Sequence, residues 1–352
     1  MNNEELITGM NCPVPLNDYE KILLAHGGGG TLSHNLIKKI IQPQFSNKFL
    51  DEMHDSAVLE IDGKKIAFTT DSYVVKPIFF PGGDIGKLSI CGTVNDLVCA
   101  GAKPLFISVG FILEEGFTVE DFKKIISSMS EAAQIAGVQI VTGDTKVVER
   151  GKGDQIYINT SSIGEIYDGV SISPKKIEVG DKIILSGKIA EHGIAIMASR
   201  ESLDFETTII SDVAPLNGLL DEIFKVTKNI HVMRDPTRGG IASALNEIAE
   251  SANKEIIIDE SKIPVSEEVK GACELLGFDP LYIANEGKLL IFLPEEESEK
   301  VFDVIRNHPL GKDAQIIGEV TNGNSSRVLL KTIIGTTRIV DMISGEQLPR
   351  IC

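Results

Sequence analysis

Basic residues are what this chain is short of. Against 51 aspartates and glutamates it carries 34 lysines and arginines, a formal net charge of −17. This balance argues against duplex DNA or an anionic membrane as partner, because both require a positive face. The deficit leaves room for a nucleotide, since backbone amides, a single lysine or a bound cation can neutralise phosphates locally. No apolar run approaches the roughly 20 residues of a membrane span. The opening MNNEELITGMNCPV lacks both the basic segment and the apolar core of a secretory signal. The expectation is a cytoplasmic protein. Cysteine is also scarce: Cys12, Cys91, Cys99, Cys273 and Cys352 are scattered, with no CxxC pair. An odd, dispersed set argues against a disulfide framework and against a zinc site. The phosphate loops GxGxxG and GxxxxGK[ST] are missing as well, so the chain is neither a clear Rossmann nor a P-loop protein.

What is present is a folded α/β pattern. The 352 residues are 42% apolar, enough for two domains with substantial cores. KKIAFTTDSYVV reads as a strand running into a polar loop, DIGKLSICGTVNDLVCAGA as a helix, and TVEDFKKIISSMSEAAQIAG as an amphipathic helix capped by Thr118 and stopped by Gly137. VQIV reads as a strand leading into a loop, VTGDTKVV, and QIYINTSSIGEI as a further strand. SISPKKIEVGD marks a domain boundary. Beyond it strand KIILSG, a helix from Glu191, the loop HVMRDPTRGG, helix IASALNEIAESA, strand EIIID, helix VKGACELLG, strand KLLIFL, helix EEESEKVFDVIRN and strand AQIIGEV alternate. The expected segments are an N-terminal arm and glycine-rich loop (1–34), an N-terminal ATP-binding domain (35–170), a C-terminal α/β domain (171–335) and a mobile tail (336–352). VLLKTIIG and TRIVDMI are strand-like runs near that tail, and Gly345 and Pro349 keep its end from being helical. Cys91, Cys99 and Cys273 sit on apolar helices and read as structural thiols.

Carboxylates carry the first functional signal. Asp55, Asp71, Asp144 and Asp235 fall at the ends of elements, and Asp96 lies on an apolar helix beside Asn95. Each alone fits a cap or a turn. Together, with no His/Cys cluster, they suit magnesium and phosphate oxygens. HGGGG, before the helix-like run TLSHNLIKKI, can be a linker or can close over a nucleotide with its amides. RDPTRGG places Thr237, Arg238 and Gly239 at a helix start that favours an anion. A magnesium–ATP site is the reading these features support jointly.

The motifs DSAVL, TTDSYVV, NDLVCAGAKP, TGDTKVV, DPTRGGI and ANEGKL resemble, in order and spacing, the ATP-binding superfamily of aminoimidazole ribonucleotide synthetase. Selenophosphate synthetase and thiamine-monophosphate kinase belong to it too. Within that superfamily, HGGGG and the terminal PRIC resemble the HypE family of hydrogenase maturation factors, with Gly28 in place of an expected serine. The resemblance implies a two-domain α/β (α+β) fold, whose N-terminal domains pair into a dimeric β-barrel, with ATP at the subunit and domain junction. It also implies ATP-dependent dehydration of a carbamoyl group carried on Cys352 to a thiocyanate, the source of cyanide for the iron of NiFe-hydrogenase. The implied partners are a second copy, the carbamoyltransferase HypF and the HypC–HypD complex.

Carried over residue by residue, the resemblance gives Asp55, Asp71, Asp96 and Asp235 to Mg2+, with Asp144 as an additional or alternative ligand. Gly28, Gly29, Gly30, Asp71, Asn95, Asp96, Asp144, Lys146, Asp235, Arg238 and Gly239 are the implied ATP contacts, and His26 shapes the entrance. Lys146 or Glu286 would remove the amide protons. Lys146 serves equally well as a point charge on phosphate, and Glu286 as half of a salt bridge. Two other readings are a synthetase acting on a free small molecule and a nucleotide-sensing scaffold whose tail only docks partners.

Overall fold

The computed structural model describes residues 21–200, 208–323, 325–343 and 350–352. Cys12, Gly345 and Pro349 lie outside the described residues.

In the N-terminal half a short helix α1 (Thr31–Leu36) continues through a π turn into α2 (Gln42–Phe45). Then follow β1 (Ala57–Ile61), β2 (Lys64–Tyr73), the small hairpin β3 (Phe79–Phe80) and β4 (Gly83–Asp84), and α3 (Ile85–Cys99). β5 (Ala102–Glu114), α4 (Val119–Ala136), β6 (Gln139–Val148) and β7 (Ile156–Ile166) complete a sheet of order β1-β2-β7-β5-β6. Alternation decides its two faces. Ala67, Thr69, Ile158, Thr160, Ile107 and Val109 face inward beneath α3. Phe68, Ile163 and Phe106 form one cross-strand row on the other side and remain exposed. β6 is an edge strand, exposed from Gln139 to Val147. TGDTKVV is therefore strand and not the loop expected.

Helix α3 is buried on every side because it has a neighbour on every side. Sheet strands β2, β5 and β7 lie below it, α4 beside it, and β9 and α6 of the C-terminal half across from it. Asp84 caps its first turn by accepting from Gly86 N (2.7 Å) and Lys87 N (3.0 Å). Gly92 sets the closest approach: a Cβ there would sit 2.4 Å from the Tyr73 hydroxyl.

The C-terminal half runs β8 (Lys182–Leu185), α5 (Glu191–Ala198), α6 (Asn217–Val226), β9 (Val232–Arg234), α7 (Gly240–Ala252), β10 (Glu255–Asp259) and α8 (Glu267–Leu276). β11 (Leu290–Leu293), α9 (Glu295–Asn307), β12 (Gln315–Thr321), β13 (Val328–Lys331) and β14 (Thr337–Val340) follow. Its sheet has the order β14-β13-β10-β12-β8-β11-β9. Two expectations change here. HVMRDPTRGG opens with a strand, β9, which pairs with β11. Residues 337–340, read as strand-like but placed within a mobile tail, are the strand β14, hydrogen-bonded to β13.

The chain end is docked. Val74 N donates to the Cys352 carbonyl (3.3 Å) and Lys76 N to the Arg350 carbonyl (3.1 Å), so residues 350–352 run beside the chain leaving β2. Arg350 pairs with Asp154, and Ile351 is buried in the core. Among the described residues no helix is long and apolar enough to cross a membrane.

Candidate active site

A cavity of about 880 Å³ opens where the two halves meet, within the size range of small-molecule sites. Asp55 enters it from the turn before β1, Asp71 from β2 and Asp96 from α3. Asp235 follows β9, Arg238 precedes α7, Glu286 precedes β11, and Cys352 arrives with the docked chain end. Both sheets and α3 are needed to bring these residues together.

Burial dominates the electrostatics, and mutual repulsion adds to it. Burial and then Asp235, Asp71 and Asp55 push the Asp96 carboxyl well above its usual range. Burial, then Asp55, raises Asp235 to about 7. Asp71 is raised by burial, with Arg238 opposing. Glu286 is pushed far up by burial, Asp235, Asp212 and Asp71. Asp55 is the exception: burial works against its charge, but Arg234 and His54 outweigh it and hold the carboxyl below the usual range. One Asp55 oxygen meets Arg234 at 2.7 Å; the other accepts no hydrogen bond among the described residues and lies 3.5 Å from His54 Nδ1. Glu286 Oε1 is likewise buried without a partner. A buried carboxylate set with orphaned oxygens fits a hard divalent cation. Asp55, Cys99 and Asp235 have ligand atoms within 4.8 Å of one another.

The Cys352 thiol sits among these groups. Cys352 lines the cavity beside Glu286 and Arg238; burial pushes its thiol up, the Arg238 guanidinium opposes that shift, and the Glu286 carboxyl group adds to it. For Arg238, Cys352 is the largest of the influences that hold its charge, ahead of Asp71 and Glu286.

The expected residues divide into three groups. Asp55, Asp71, Asp96, Asp235, Arg238, Glu286 and Cys352 line the one cavity, and His26 and Gly29 lie at its rim. The glycine run packs on the helix start: a Cβ at Gly29 (φ +74°) would lie 2.6 Å from the Arg238 Cβ, and Arg238 donates to the Gly27 carbonyl at 3.1 Å. Gly28 N donates to the Ala25 carbonyl and Gly29 N to Ser33 Oγ, so these two amides, expected to hold phosphate, are engaged within the chain. Gly239 stands at the start of α7. Asn95 is a buried structural clasp: it donates to the Ala214 and Glu286 carbonyls (3.1 and 3.2 Å) and accepts from Leu216 N (2.9 Å).

Asp144 and Lys146 stand apart. They lie on the exposed edge strand β6, paired with each other at 2.6 Å. Asp71 is level with the inward-facing Thr160, whereas Asp144 is level with Gly110 and Asn159 on the bare face. They are not part of this chain's own cluster.

Four residues were not read from the sequence. Arg234 bridges Asp55 and Glu247; its signal was a lone cation ending the strand HVMR. His54 is the residue beside Asp55. Cys99, expected to be structural, lies with its Sγ 3.5 Å from Asp235. Asp212 is the fourth. It accepts from Glu286 N (3.1 Å), Gly287 N (3.3 Å) and Lys288 Nζ (2.9 Å), and so holds the loop carrying Glu286.

Comparison with known proteins agrees with this arrangement. Residues 53–166 match the family model for the AIR synthase related protein, N-terminal domain, and residues 178–331 match its C-terminal domain. The class is thus the two-domain AIR synthase related proteins. The carbamoyl dehydratase HypE of Cupriavidus necator is 47% identical over 340 residues, 96% of this chain and 97% of that protein. The chain belongs to the HypE family of carbamoyl dehydratases. Among solved structures, HypE in a HypE–HypF complex superposes with a TM-score of 0.84 at 52% identity, covering 88% of this chain and 99% of that one. HypE in complex with ATP gives 0.80 at 45% identity, covering 94% and 100%.

Proposed function

We propose that the protein is an ATP-dependent carbamoyl dehydratase of hydrogenase maturation, converting an S-carbamoyl group on Cys352 into a thiocyanate. The observation that carries this reading is the docked chain end: the thiol of Cys352 lies against Glu286 and Arg238 inside the carboxylate-lined cavity. A surface thiol would have no use for such surroundings.

The chemistry follows from the group to be lost. Turning S–C(=O)–NH2 into S–C≡N requires departure of the carbonyl oxygen, and oxide is too poor a leaving group. Transfer of the γ-phosphoryl group of ATP to that oxygen lets it leave as phosphate, with ADP as the other product. Two N–H protons must go, one as the C=N bond forms and one as the nitrile forms. Glu286, buried with a raised pKa and lining the same cavity as the sulfur that bears the group, is the base this chain supplies. Arg238 sets a positive charge beside the thiocarbamate and the transferring phosphoryl group. Asp55, Asp71, Asp96 and Asp235 would hold Mg2+, which when bound neutralises phosphate charge. Asp212, through the main chain of residues 286–287, fixes where Glu286 points.

The reading includes a homodimer. The bare sheet face with Phe68, Phe106 and Ile163, together with the unpaired edge β6, is the surface a second copy would cover. Such pairing would let Asp144 and Lys146 serve the partner's site, Lys146 as a phosphate-binding charge or second base. HypF as carbamoyl donor, HypC–HypD as cyanide acceptor and a cytoplasmic location belong to the same reading.

Carbamoylated protein given ATP and Mg2+ tests it: a Glu-specific protease releases QLPRIC, and the modified peptide is expected to lose the mass of one water. Persistence of the carbamoyl mass while ATP is consumed would count against the reading.

A further inference from the structure

The docked chain end is gripped at a second point, away from the reacting groups. Residues 350–352 hydrogen-bond to the chain leaving β2 through the carbonyls of Arg350 and Cys352. The carbonyl between them, that of Ile351, is turned away from that pairing. It is received by His192 on α5, whose Nε2 lies 3.0 Å from it. A buried carbonyl needs such a partner, and both Ile351 and the fully buried His192 are shut off from solvent.

The proton inventory of this contact has one solution. A carbonyl only accepts, so Nε2 must carry hydrogen. The neutral ring then has a bare Nδ1, which takes the hydroxyl proton of Ser211 at 2.7 Å, while Ser211 Oγ accepts from Val213 N at 3.2 Å. Burial keeps the ring neutral by lowering its pKa, with Asp212 and the Ile351 contact working the other way. Phe80 meets the imidazole edge-on, 5.5 Å between centroids, which fixes its plane. The 211–213 segment thus sets the tautomer, and the tautomer sets the grip on residue 351.

We propose that His192, oriented by Ser211, is a positioning residue that latches the carrier tail through the Ile351 carbonyl and so places Cys352 against Glu286. The geometry couples two adjacent residues of one segment: Ser211 steadies the carrier side, and Asp212 steadies Glu286. The latch acts one residue before the thiol, where a small displacement is carried straight to the sulfur. The inference rests on the reading of Cys352 as carrier, but the grip itself can be measured without any turnover.

The test uses the full-length protein with unmodified Cys352. Alkylation by iodoacetamide is followed on the released QLPRIC peptide, and affinity for a fluorescent ATP analogue is measured in parallel. His192→Ala should alkylate about tenfold faster, the loss of one buried hydrogen bond, with nucleotide affinity unchanged. His192→Gln, whose amide nitrogen can donate from the Nε2 position, should return toward the wild-type rate. In carbamoylated protein, single-turnover dehydration should slow in the alanine variant and recover in the glutamine variant. Ser211→Ala, which frees the tautomer while leaving the ring in place, should shift both rates in the same direction as the alanine variant and covers the case where that variant does not fold. A His192→Ala or Ser211→Ala protein that folds and alkylates at the wild-type rate overturns the latch, as does a glutamine variant that matches alanine. Absence of dehydration in the wild type, with alkylation behaving as stated, would instead remove the proposed function and leave the latch standing.

Discussion

Replacing Glu286 by glutamine isolates one carboxyl group from its surroundings. The side chain keeps its volume, and its loop is held by contacts glutamine does not touch: Asp212 on the 286 and 287 amides and Asn95 on the 286 carbonyl. What disappears is a buried group able to take a proton beside the Cys352 sulfur. Loss of a positioned general base costs about 10²- to 10⁴-fold in the step it serves, so single-turnover formation of the thiocyanate should fall by that factor, while ATP affinity stays within about threefold. Two pH effects accompany it. In the wild type the rate should climb with pH along an acid limb lying above the ordinary carboxylate range, because burial, Asp235 and Asp212 hold the proton on Glu286. For stability the sign follows from the raised folded value. Above the unfolded pKa the folded state binds a proton that the unfolded state has released, so stability declines as pH rises. Glu286→Gln removes that decline and should melt higher than wild type at neutral pH, the gap closing under acidic conditions. The assay is quench-flow with mass analysis of QLPRIC, beside thermal melts across pH. Turnover within a few-fold of wild type, or an unaltered acid limb in the variant, would refute the assignment of Glu286 as base.

Three other outcomes follow from the site. Arg234→Met leaves Asp55 and Glu247 without their shared cation; breaking a buried pair from one side costs about 3–5 kcal/mol, read by denaturant unfolding in EDTA, and added Mg2+ should restore part of it. Asp235, raised to about 7, holds a proton at mildly acidic pH that a bound cation must displace; Mg2+ should therefore raise the melting temperature more at about pH 8 than at about pH 5.5, and an equal shift at both would contradict the cation assignment. Ile163→Glu, set between Phe68 and Phe106 on the bare face, should halve the mass seen by light scattering and, where Lys146 acts across the interface, abolish dehydration as well.

The legible part of the molecule was local. Helix α4 was announced by its Thr118 cap and Gly137 stop, and Asp71 and Asp235 stood out because polar residues interrupt apolar runs there, although the polar loop expected at Asp71 is a continuation of β2 to Tyr73. The cluster itself depends on which face of each element is turned inward, and that is decided by partners far along the chain. Asp96 sits on a helix buried all round, so no polar stripe in the sequence distinguishes its role from that of neighbouring Asn95, which turned out to clasp residues 214–216 and 286. TGDTKVV looked like a loop because threonine, glycine and aspartate break the apolar pattern. It is an edge strand with both faces exposed, where alternation has nothing to record. The grip on the chain end was invisible for another reason: His192 and Ser211 approach Ile351 across more than a hundred residues of sequence, and a lone histidine at a helix start carries no mark of its partner.

The central claim is that the chain end carries the reacting group. Its most direct measurement is the mass of QLPRIC from carbamoylated protein before and after ATP and Mg2+, with the modification mapped by fragmentation. The account predicts loss of one water located on Cys352, and no such species from Cys352→Ala. A water-loss product on another cysteine, or ATP hydrolysis that leaves the carbamoyl mass on Cys352 intact, would contradict it.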